Sequence, residues 1–180
     1  PRSTLFPYTT LFRSRYPHND TAALEGLLEM NPSENMRLIV TDSVFSMDGD
    51  IAPLAGIAEI ASRHKALLMV DDAHGGGILG KRGCGAVELA GVSDKVDLLM
   101  GTFGKALGSF GAYVACSSIM RDYLLNNSRS FIYSTSLPAP VIAASIVSVR
   151  LVQSAEGEYL RPKLSDHIVL FHEQLLKRGG

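Results

Sequence analysis

The chain has 180 residues, enough for one domain with a sizeable core, and its 46% of apolar residues is ordinary for a globular protein. A formal charge of -1, from 17 basic and 18 acidic residues, argues against nucleic acid or an anionic membrane as partner and favours a small molecule. Cys84 and Cys116 form neither a zinc motif nor a disulfide framework, and no apolar run reaches membrane-spanning length, so we expect a cytoplasmic protein.

The first residues do not look like the start of a folded domain. Residues 4–14 read TLFPYTTLFRS and resemble a translated sequencing adapter, without the basic start and apolar centre of a signal peptide. We therefore set residues 1–14 aside as a non-native segment. The other end stops directly after a helical pattern, so we expect a chain that is truncated at both ends.

From residue 15 onward, segments of helical period alternate with short apolar runs of the kind found in buried strands. Asp20 and Pro53 stand where helices are expected to start. In chain order the sequence predicts a helix near 21–30, a strand at 37–41, a helix at 52–64, strands at 67–70, 96–101 and 111–115, a helix at 117–127, an extended segment at 131–135, and helices at 138–152 and 160–176.

Two of these helices are expected to be packed against the rest of the domain. The helix at 138–152 is apolar almost all round, which is typical of a buried helix. The helix at 117–127 has one apolar face that we expect to point inward. That face consists of Ile119, Met120, Tyr123 and Leu124.

The alternation of helices and strands predicts an open α/β sheet. The sheet should be mixed, because residues 105–111 are too few for the crossover helix that joins two parallel strands. A boundary at 154–159 divides a domain at 15–153 from the start of a second, incomplete one at 154–180. Ligands of such sheets bind outside the carboxyl ends of the strands, and polar clusters follow three of the predicted strands directly.

Lys105 lies in one of these clusters, in the stretch Gly101-Thr-Phe-Gly-Lys-Ala-Leu-Gly108. Flanking glycines let backbone and ligand approach a lysine closely, as a nucleophilic lysine requires. From the Gly-Lys pair alone, an ordinary surface lysine beside a turn is the more frequent outcome. A Walker phosphate loop is a weaker alternative, because the required spacing Gly-x-x-x-x-Gly-Lys-Ser/Thr is absent.

Asp71, Asp72 and His74 follow the strand at 67–70. As metal ligands they would supply few convergent oxygens, so no metal site is expected. Asp72 could cap a helix and His74 could be a satisfied core residue. Alternatively, a carboxylate at a strand end can pair with a protonated pyridine nitrogen and a nearby histidine can contact the ring, as in proteins that bind pyridoxal phosphate through a lysine.

Four motifs occur in order: SVFSMDGD at 43–50, VDDAH at 70–74, GTFGKALG at 101–108 and YSTSLP at 133–138. Together they resemble the α-oxoamine synthases, and the resemblance covers about residues 15–176. It implies the large domain of a fold-type-I, pyridoxal-phosphate-dependent transferase, a three-layer α/β/α structure with a mostly parallel sheet.

The resemblance also implies a role for each matching residue. Lys105 would carry pyridoxal 5'-phosphate as a covalent aldimine and move protons, and Asp71 would keep the pyridine nitrogen protonated. The remaining cofactor-binding residues would contact its phenolic oxygen or its phosphate, the last of them in the neighbouring subunit of a homodimer with a shared active site. They are His74 and Ser46 for the oxygen, and Thr102 and Thr135 for the phosphate.

The reaction implied is the condensation of an amino acid with an acyl thioester, with loss of carbon dioxide. Details of the motifs favour L-alanine and pimeloyl-CoA or a pimeloyl-carrier protein, as in biotin synthesis. Glycine with acetyl-CoA is the alternative, because Asp42 and the run Ala143-Ala-Ser-Ile146 suit it. An aminotransferase and a non-catalytic α/β binding module are the alternatives from other classes.

The chain lacks two regions that the family uses, a Gly-rich phosphate contact before residue 15 and a C-terminal domain with a carboxylate-binding arginine. We therefore expect the 180-residue polypeptide by itself to be inactive and poorly stable, because its sheet would expose an edge.

Overall fold

A computed structural model describes residues 14–178, in which four strands form one mixed sheet. The first three strands are parallel and the fourth runs antiparallel to the third, as the short segment at 105–111 predicted. The strand order follows the chain order. The strands are β1 (Leu38–Asp42), β2 (Leu67–Asp71), β3 (Leu98–Thr102) and β4 (Ala112–Cys116).

Helices precede or follow each strand in the described residues. They are α1 (Thr21–Met30), α2 (Leu54–Arg63), α3 (Ala86–Leu89), α4 (Ser118–Asn127), α5 (Arg129–Ile132), α6 (Ala139–Val152) and α7 (Ala155–Lys177). The predicted start of α1 is confirmed, because the Asp20 carboxylate accepts a hydrogen bond from the Ala23 amide at 2.8 Å. The sequence did not predict α3.

The hydrophobic core lies where α1, α2 and α3 pack against β1 and β2. The predicted face of α2 is buried, and β2 alternates half-buried and fully buried side chains. The largest fully buried apolar side chains are Leu54, Ile57, Leu68, Val70 and Val87.

The packing predicted for α4 and α6 is wrong in the described chain. On α4, Ile119 and Tyr123 are exposed and Met120 and Leu124 are only half-buried. On α6, a single residue, Ser145, is buried. Both helices follow β4, which pairs on one side only within residues 14–178, so too little structure surrounds them to cover their apolar faces.

The extended segment predicted at 131–135 is also wrong in its first half. The amides of Phe131 and Ile132 both donate to the Ser128 carbonyl, at 3.0 and 2.9 Å, and close the short helix α5. The chain leaves the helix at Tyr133 and reaches Pro138 without further regular structure.

Helix α7 begins at Ala155, within the expected domain boundary and before the predicted start at residue 160. Arg161 connects α7 to the rest of the chain, because its guanidinium donates to the carbonyls of Val152 and Lys81, both at 2.8 Å. The division into domains at 153/154 stays a prediction.

Two further predictions concern the ends of the chain and membranes. The adapter-like segment at 4–14 lies outside the described residues, except for Ser14. Among the helices at 14–178, none combines the length and the apolar character needed to cross a bilayer.

Candidate functional site

The carboxyl ends of the parallel strands bring the predicted acidic residues to one edge of the sheet. Asp42 at the end of β1 pairs in register with Asp71 at the end of β2, and Asp71 pairs with Met100 on β3. Asp71 is half-buried, and its Oδ1 accepts a hydrogen bond from the Ala73 amide at 3.0 Å. This bond fixes the Asp71 carboxylate at the start of the turn that carries His74.

The segment that carries Lys105 is the connection between β3 and β4. Its base is closed twice on the Gly111 carbonyl, which accepts from the Phe103 amide at 2.9 Å and from the Thr102 hydroxyl at 3.0 Å. The Thr102 hydroxyl also accepts from the Gly104 amide at 3.1 Å. We call residues 103–111 the lysine hairpin.

Lys105 and His74 are in direct contact. The Lys105 Nζ lies 2.7 Å from His74 Nε2, and which atom donates depends on the histidine tautomer and on the protonation of the amine. Lys105 is exposed and His74 is half-buried. An amine and an imidazole at this distance can share and exchange a proton at the carboxyl edge of the sheet.

Asp72, the next residue after Asp71, is buried and only 3% exposed. Its carboxylate accepts from the Ser43 hydroxyl at 2.5 Å and from the Ala86 amide at the start of α3 at 3.0 Å. Asp72 therefore satisfies one amide at the start of α3, a helix that the sequence did not predict and whose N-cap residue is Gly85. Burial raises the pKa of the Asp72 carboxyl, and the hydrogen bond from Ser43 opposes that rise.

The Asp72 carboxylate fits between two glycines because neither has a side chain. A Cβ on Gly85 would stand 1.7 Å from Asp72 Oδ2, and one on Gly75 would stand 2.2 Å from Oδ1. Gly85 also has a φ of +91°, which residues with a side chain rarely adopt. The turn between β2 and α3 is therefore closed around a buried carboxylate.

Ser46 is exposed on the loop that follows β1. The loop is closed by the hydrogen bond from the Phe45 amide to the Asp50 carbonyl at 3.0 Å. His18 holds it from outside, because its Nε2 lies 2.8 Å from Asp50 Oδ2 and its ring contacts Phe45 edge-on at 4.2 Å. The hydrogen bond to Asp50 raises the pKa of His18. This contact spans 32 positions of the chain, and no local pattern of residues predicted it.

The structure does not bring all the predicted site residues into contact. Thr135 is exposed between α5 and α6. Among residues 14–178, no hydrogen bond joins Thr135 or Ser46 to Lys105, His74 or Asp71. The roles assigned to the site residues stay predictions.

Tyr113 is a residue of the site that sequence reasoning missed. Its ring and hydroxyl cover Gly101, where a Cβ would stand 2.4 Å from the Tyr113 Oη. Its ring also lies 5.1 Å from that of Phe103, so it packs under the base of the lysine hairpin. Burial, and then the charge of Asp72, raise the pKa of Tyr113. The pairing of Tyr113 with Gly101 across antiparallel strands was the available signal.

Fold and site together define a mixed α/β protein with a lysine-centred site at the carboxyl edge of its sheet. The chain belongs to the aminotransferase class I and II family, whose profile matches residues 5–179.

Individual relatives narrow this assignment. The 8-amino-7-oxononanoate synthase of Trichlorobacter lovleyi is 61% identical over 166 residues, which are 92% of this chain and 42% of the relative. The chain therefore spans about two fifths of the length of the curated relatives it matches.

Solved structures agree with this assignment. The 8-amino-7-oxononanoate synthase of Francisella tularensis is 30% identical with a TM-score of 0.73, over 89% of this chain and 45% of that one. A serine palmitoyltransferase from S. paucimobilis with a bound PLP–myriocin aldimine is 34% identical with a TM-score of 0.75, over 78% and 36%. The resemblance to the α-oxoamine synthases and the predicted fold class are confirmed.

Proposed function

We propose that the complete protein uses pyridoxal phosphate to condense L-alanine with a pimeloyl thioester, as an 8-amino-7-oxononanoate synthase in biotin synthesis. The observation that carries the proposal is the direct contact of Lys105 Nζ with His74 Nε2 at 2.7 Å, at the carboxyl edge of a sheet whose neighbouring strand ends in Asp71. The 61% identity to a curated relative of that name supports the choice of reaction.

The side chains at this edge fit the proposed cofactor by their chemistry. A lysine amine, a strand-end carboxylate and an imidazole are the three groups that bind and tune a pyridoxal ring. Lys105 would hold the cofactor, Asp71 would pair with its ring nitrogen, and His74 and Ser46 would contact its phenolic oxygen. Pyridoxal phosphate, when bound, supplies an electron sink for charge that develops on the α-carbon of an amino acid.

The residues of this chain would then bind the substrate and move protons. The Lys105 Nζ would take the α-proton of the amino acid. His74 Nε2 lies within hydrogen-bond distance of that amine and so can share its proton. The Asp71 carboxylate, which accepts a hydrogen bond from the Ala73 amide, would keep a proton on the ring nitrogen by opposite charge.

The proposal includes the partners of the complete protein. Its substrates are an amino acid and an acyl group carried by coenzyme A or by an acyl-carrier protein. The protein forms a homodimer in which Thr135 reaches the phosphate in the neighbouring subunit, which fits the exposed position of Thr135 in the single chain. The apolar faces that α4 and α6 leave exposed support the proposal that the 180-residue polypeptide alone is inactive.

A second reaction, the condensation of glycine with acetyl-CoA by a 2-amino-3-ketobutyrate CoA ligase, is favoured by one feature. The run Ala143-Ala-Ser-Ile146 on α6 suits that enzyme, and its serine is the buried residue of the helix. Both reactions release coenzyme A, whereas an aminotransferase does not need it. A test with both amino acids and both thioesters separates the three.

The experiment uses the complete gene product that contains this sequence. After incubation with pyridoxal phosphate and reduction with borohydride, mass spectrometry should find the cofactor on Lys105. Lys105→Ala should abolish both the lysine-bound absorbance band and the release of coenzyme A, while Lys95→Ala, at an exposed lysine outside the site, should change neither. Unchanged absorbance and turnover in Lys105→Ala would refute the proposal.

A further inference from the structure

Ser145 is the one buried residue of α6, although most of that helix is apolar. It is 6% exposed, whereas Val147, two positions further, is 64% exposed. A buried hydroxyl on a largely exposed helix is retained only where it makes hydrogen bonds. The bonds it makes lead to the lysine hairpin.

Three distances define this contact. Ser145 Oγ lies 2.9 Å from Ser109 Oγ and 2.9 Å from the Val141 carbonyl, and Ser109 Oγ lies 3.3 Å from the same carbonyl. Each hydroxyl has one hydrogen to donate. The shorter distances are both satisfied when Ser109 donates to Ser145 and Ser145 donates to the Val141 carbonyl.

Ser109 is fixed to the lysine hairpin from within. Its amide donates to the Phe103 carbonyl at 2.7 Å, and the neighbouring Gly108 amide donates to the Lys105 carbonyl at 3.0 Å. Because of these two hydrogen bonds, the position of Ser109 is coupled to the backbone on both sides of Lys105. Its hydroxyl joins this hairpin to a helix from which β4, α4 and α5 separate it in the chain.

The apolar side chains of the hairpin are unevenly buried. Leu107 is buried, whereas Phe110 is exposed. The pair of hydroxyls adds a directed contact with α6 to this packing. We infer that Ser109 and Ser145 are positioning residues that hold the lysine hairpin against α6 and so orient Lys105.

The first test measures hydrogen exchange in the complete gene product without added cofactor. Ser109→Ala should raise the hydrogen-exchange rates of the backbone amides at positions 108 and 109 by about 3- to 10-fold. This is the change in the local opening equilibrium expected from the loss of one net hydrogen bond. The amides of β3 should exchange as before. Ser148→Ala, at a half-buried serine of the same helix, is the matched control and should leave the hairpin unchanged.

The hydrogen assignment makes the two serines unequal. Ser109→Ala removes the link to α6 entirely, whereas Ser145→Ala leaves the Ser109 hydroxyl the longer bond to the Val141 carbonyl. Ser145→Ala should therefore raise the exchange rates of the hairpin amides less than Ser109→Ala does. The double variant should raise them no further than Ser109→Ala alone. Ser145→Thr keeps a hydroxyl and should retain protection. Unchanged exchange in Ser109→Ala, or equal loss of protection in Ser145→Thr and Ser145→Ala, would overturn the inference.

The effect on Lys105 itself rests on the proposed function. In Ser109→Ala the dissociation constant of pyridoxal phosphate, measured from the lysine-bound absorbance band, should rise by about 3- to 10-fold. If the unsubstituted protein gives no such band while the exchange results hold, the proposed function fails and the anchoring role stands. A normal dissociation constant together with increased exchange would overturn the claim that the serines orient Lys105.

Discussion

The two sides of the sheet differ in how completely their apolar side chains are packed. On the side of β1 and β2, Leu54, Ile57 and Leu68 are fully buried. On the side of β4, Ile119 is 82% exposed and Phe131 is 61% exposed. The described chain thus combines a finished core around its parallel strands with an open surface around its antiparallel strand.

The difference follows from the helices that cover the strands. β1 and β4 each pair with a single strand in the described residues, but α1, α2 and α3 pack against β1 and β2, whereas α4, which follows β4, buries no residue. A groove of about 490 Å³ lies between β4 and helices α4 and α5, with Val114, Leu124 and Phe131 among its lining residues. A long apolar edge of this kind is normally covered in a stable protein.

The lysine hairpin joins the two sides. The strand before it, β3, continues from the packed core, and the strand after it, β4, leads to the open side. The contact between Ser109 and Ser145 therefore links the hairpin that carries Lys105 to a helix of the open side. Changes in stability on the packed side should be global, and changes on the open side should stay local.

The largest expected effect comes from truncating the packed core. Leu68 is 0% exposed, so Leu68→Ala removes buried apolar surface and leaves a cavity, at a cost of about 2 to 5 kcal/mol in the free energy of unfolding. Ile119→Ala, on the open side, should change it by less than about 0.5 kcal/mol. Urea denaturation of the 180-residue chain measures both.

The same pair in the complete gene product sharpens the comparison. Ile119→Ala becomes costly there only if further chain or a second subunit covers α4, whereas Leu68→Ala should cost the same. Equal costs of the two substitutions in the 180-residue chain would contradict the division into a packed and an open side.

A smaller but still large effect is expected at the turn around Asp72. Gly85→Ala adds a Cβ 1.7 Å from the Asp72 carboxylate at a φ of +91°, and should destabilise the fold by about 2 kcal/mol or more. Gly26→Ala is the matched control, because Gly26 lies inside α1 with nothing within 4 Å of its added Cβ. It should stabilise by about 0.5 to 1 kcal/mol. Thermal unfolding distinguishes the two variants. A Gly85→Ala variant as stable as the unsubstituted chain would contradict the close packing of this turn around the Asp72 carboxylate.

The sequence predicted the packed side well because its signals there are local and agree with one another. Apolar spacing and the Asp20 cap defined α1, and the spacing at 54–61 defined the buried face of α2. The short connection at 105–111 predicted the antiparallel β4. The helix α3 was missed because it has only one turn and the acceptor for its first amide is Asp72, distant in sequence.

On the open side the same reasoning failed for a physical reason. The apolar pattern of α4 and α6 indicates which face can be buried, but burial needs a partner surface that residues 14–178 do not provide. The site shows the same limit. Strand ends predicted the neighbourhood of Asp71 and Lys105, but the contacts of His18 with Asp50 and of Ser109 with Ser145 depend on tertiary structure.

The pH dependence of stability should reveal the buried Asp72. Burial raises the pKa of the Asp72 carboxyl in the folded state. Between the unfolded pKa of about 3.9 and the raised folded pKa, the folded chain therefore holds a proton on Asp72 that the unfolded chain has released. Its contribution is therefore present below about pH 3.9 and is lost as the pH rises through the raised pKa of the folded state. Asp72→Asn should remove this part of the slope, so the variant gains stability relative to the unsubstituted chain as pH rises. Asp122→Asn, at an exposed carboxylate, should not change the pH dependence of stability. Urea midpoints of the two variants and the unsubstituted chain, measured between about pH 3.5 and 7, test this difference.

The smallest effects are expected at two helix caps whose helices differ in what they pack against. Asp20 caps α1, which buries Leu24, whereas Ser117 caps α4, which buries no residue. Asp20→Ala should lower the free energy of unfolding by about 1 kcal/mol, because fraying α1 exposes part of the core. Ser117→Ala should leave the free energy of unfolding unchanged and raise hydrogen exchange only in the first turn of α4, because that helix can open without disturbing the core. A global loss of stability in Ser117→Ala would mean that α4 is coupled to the core despite its exposed face.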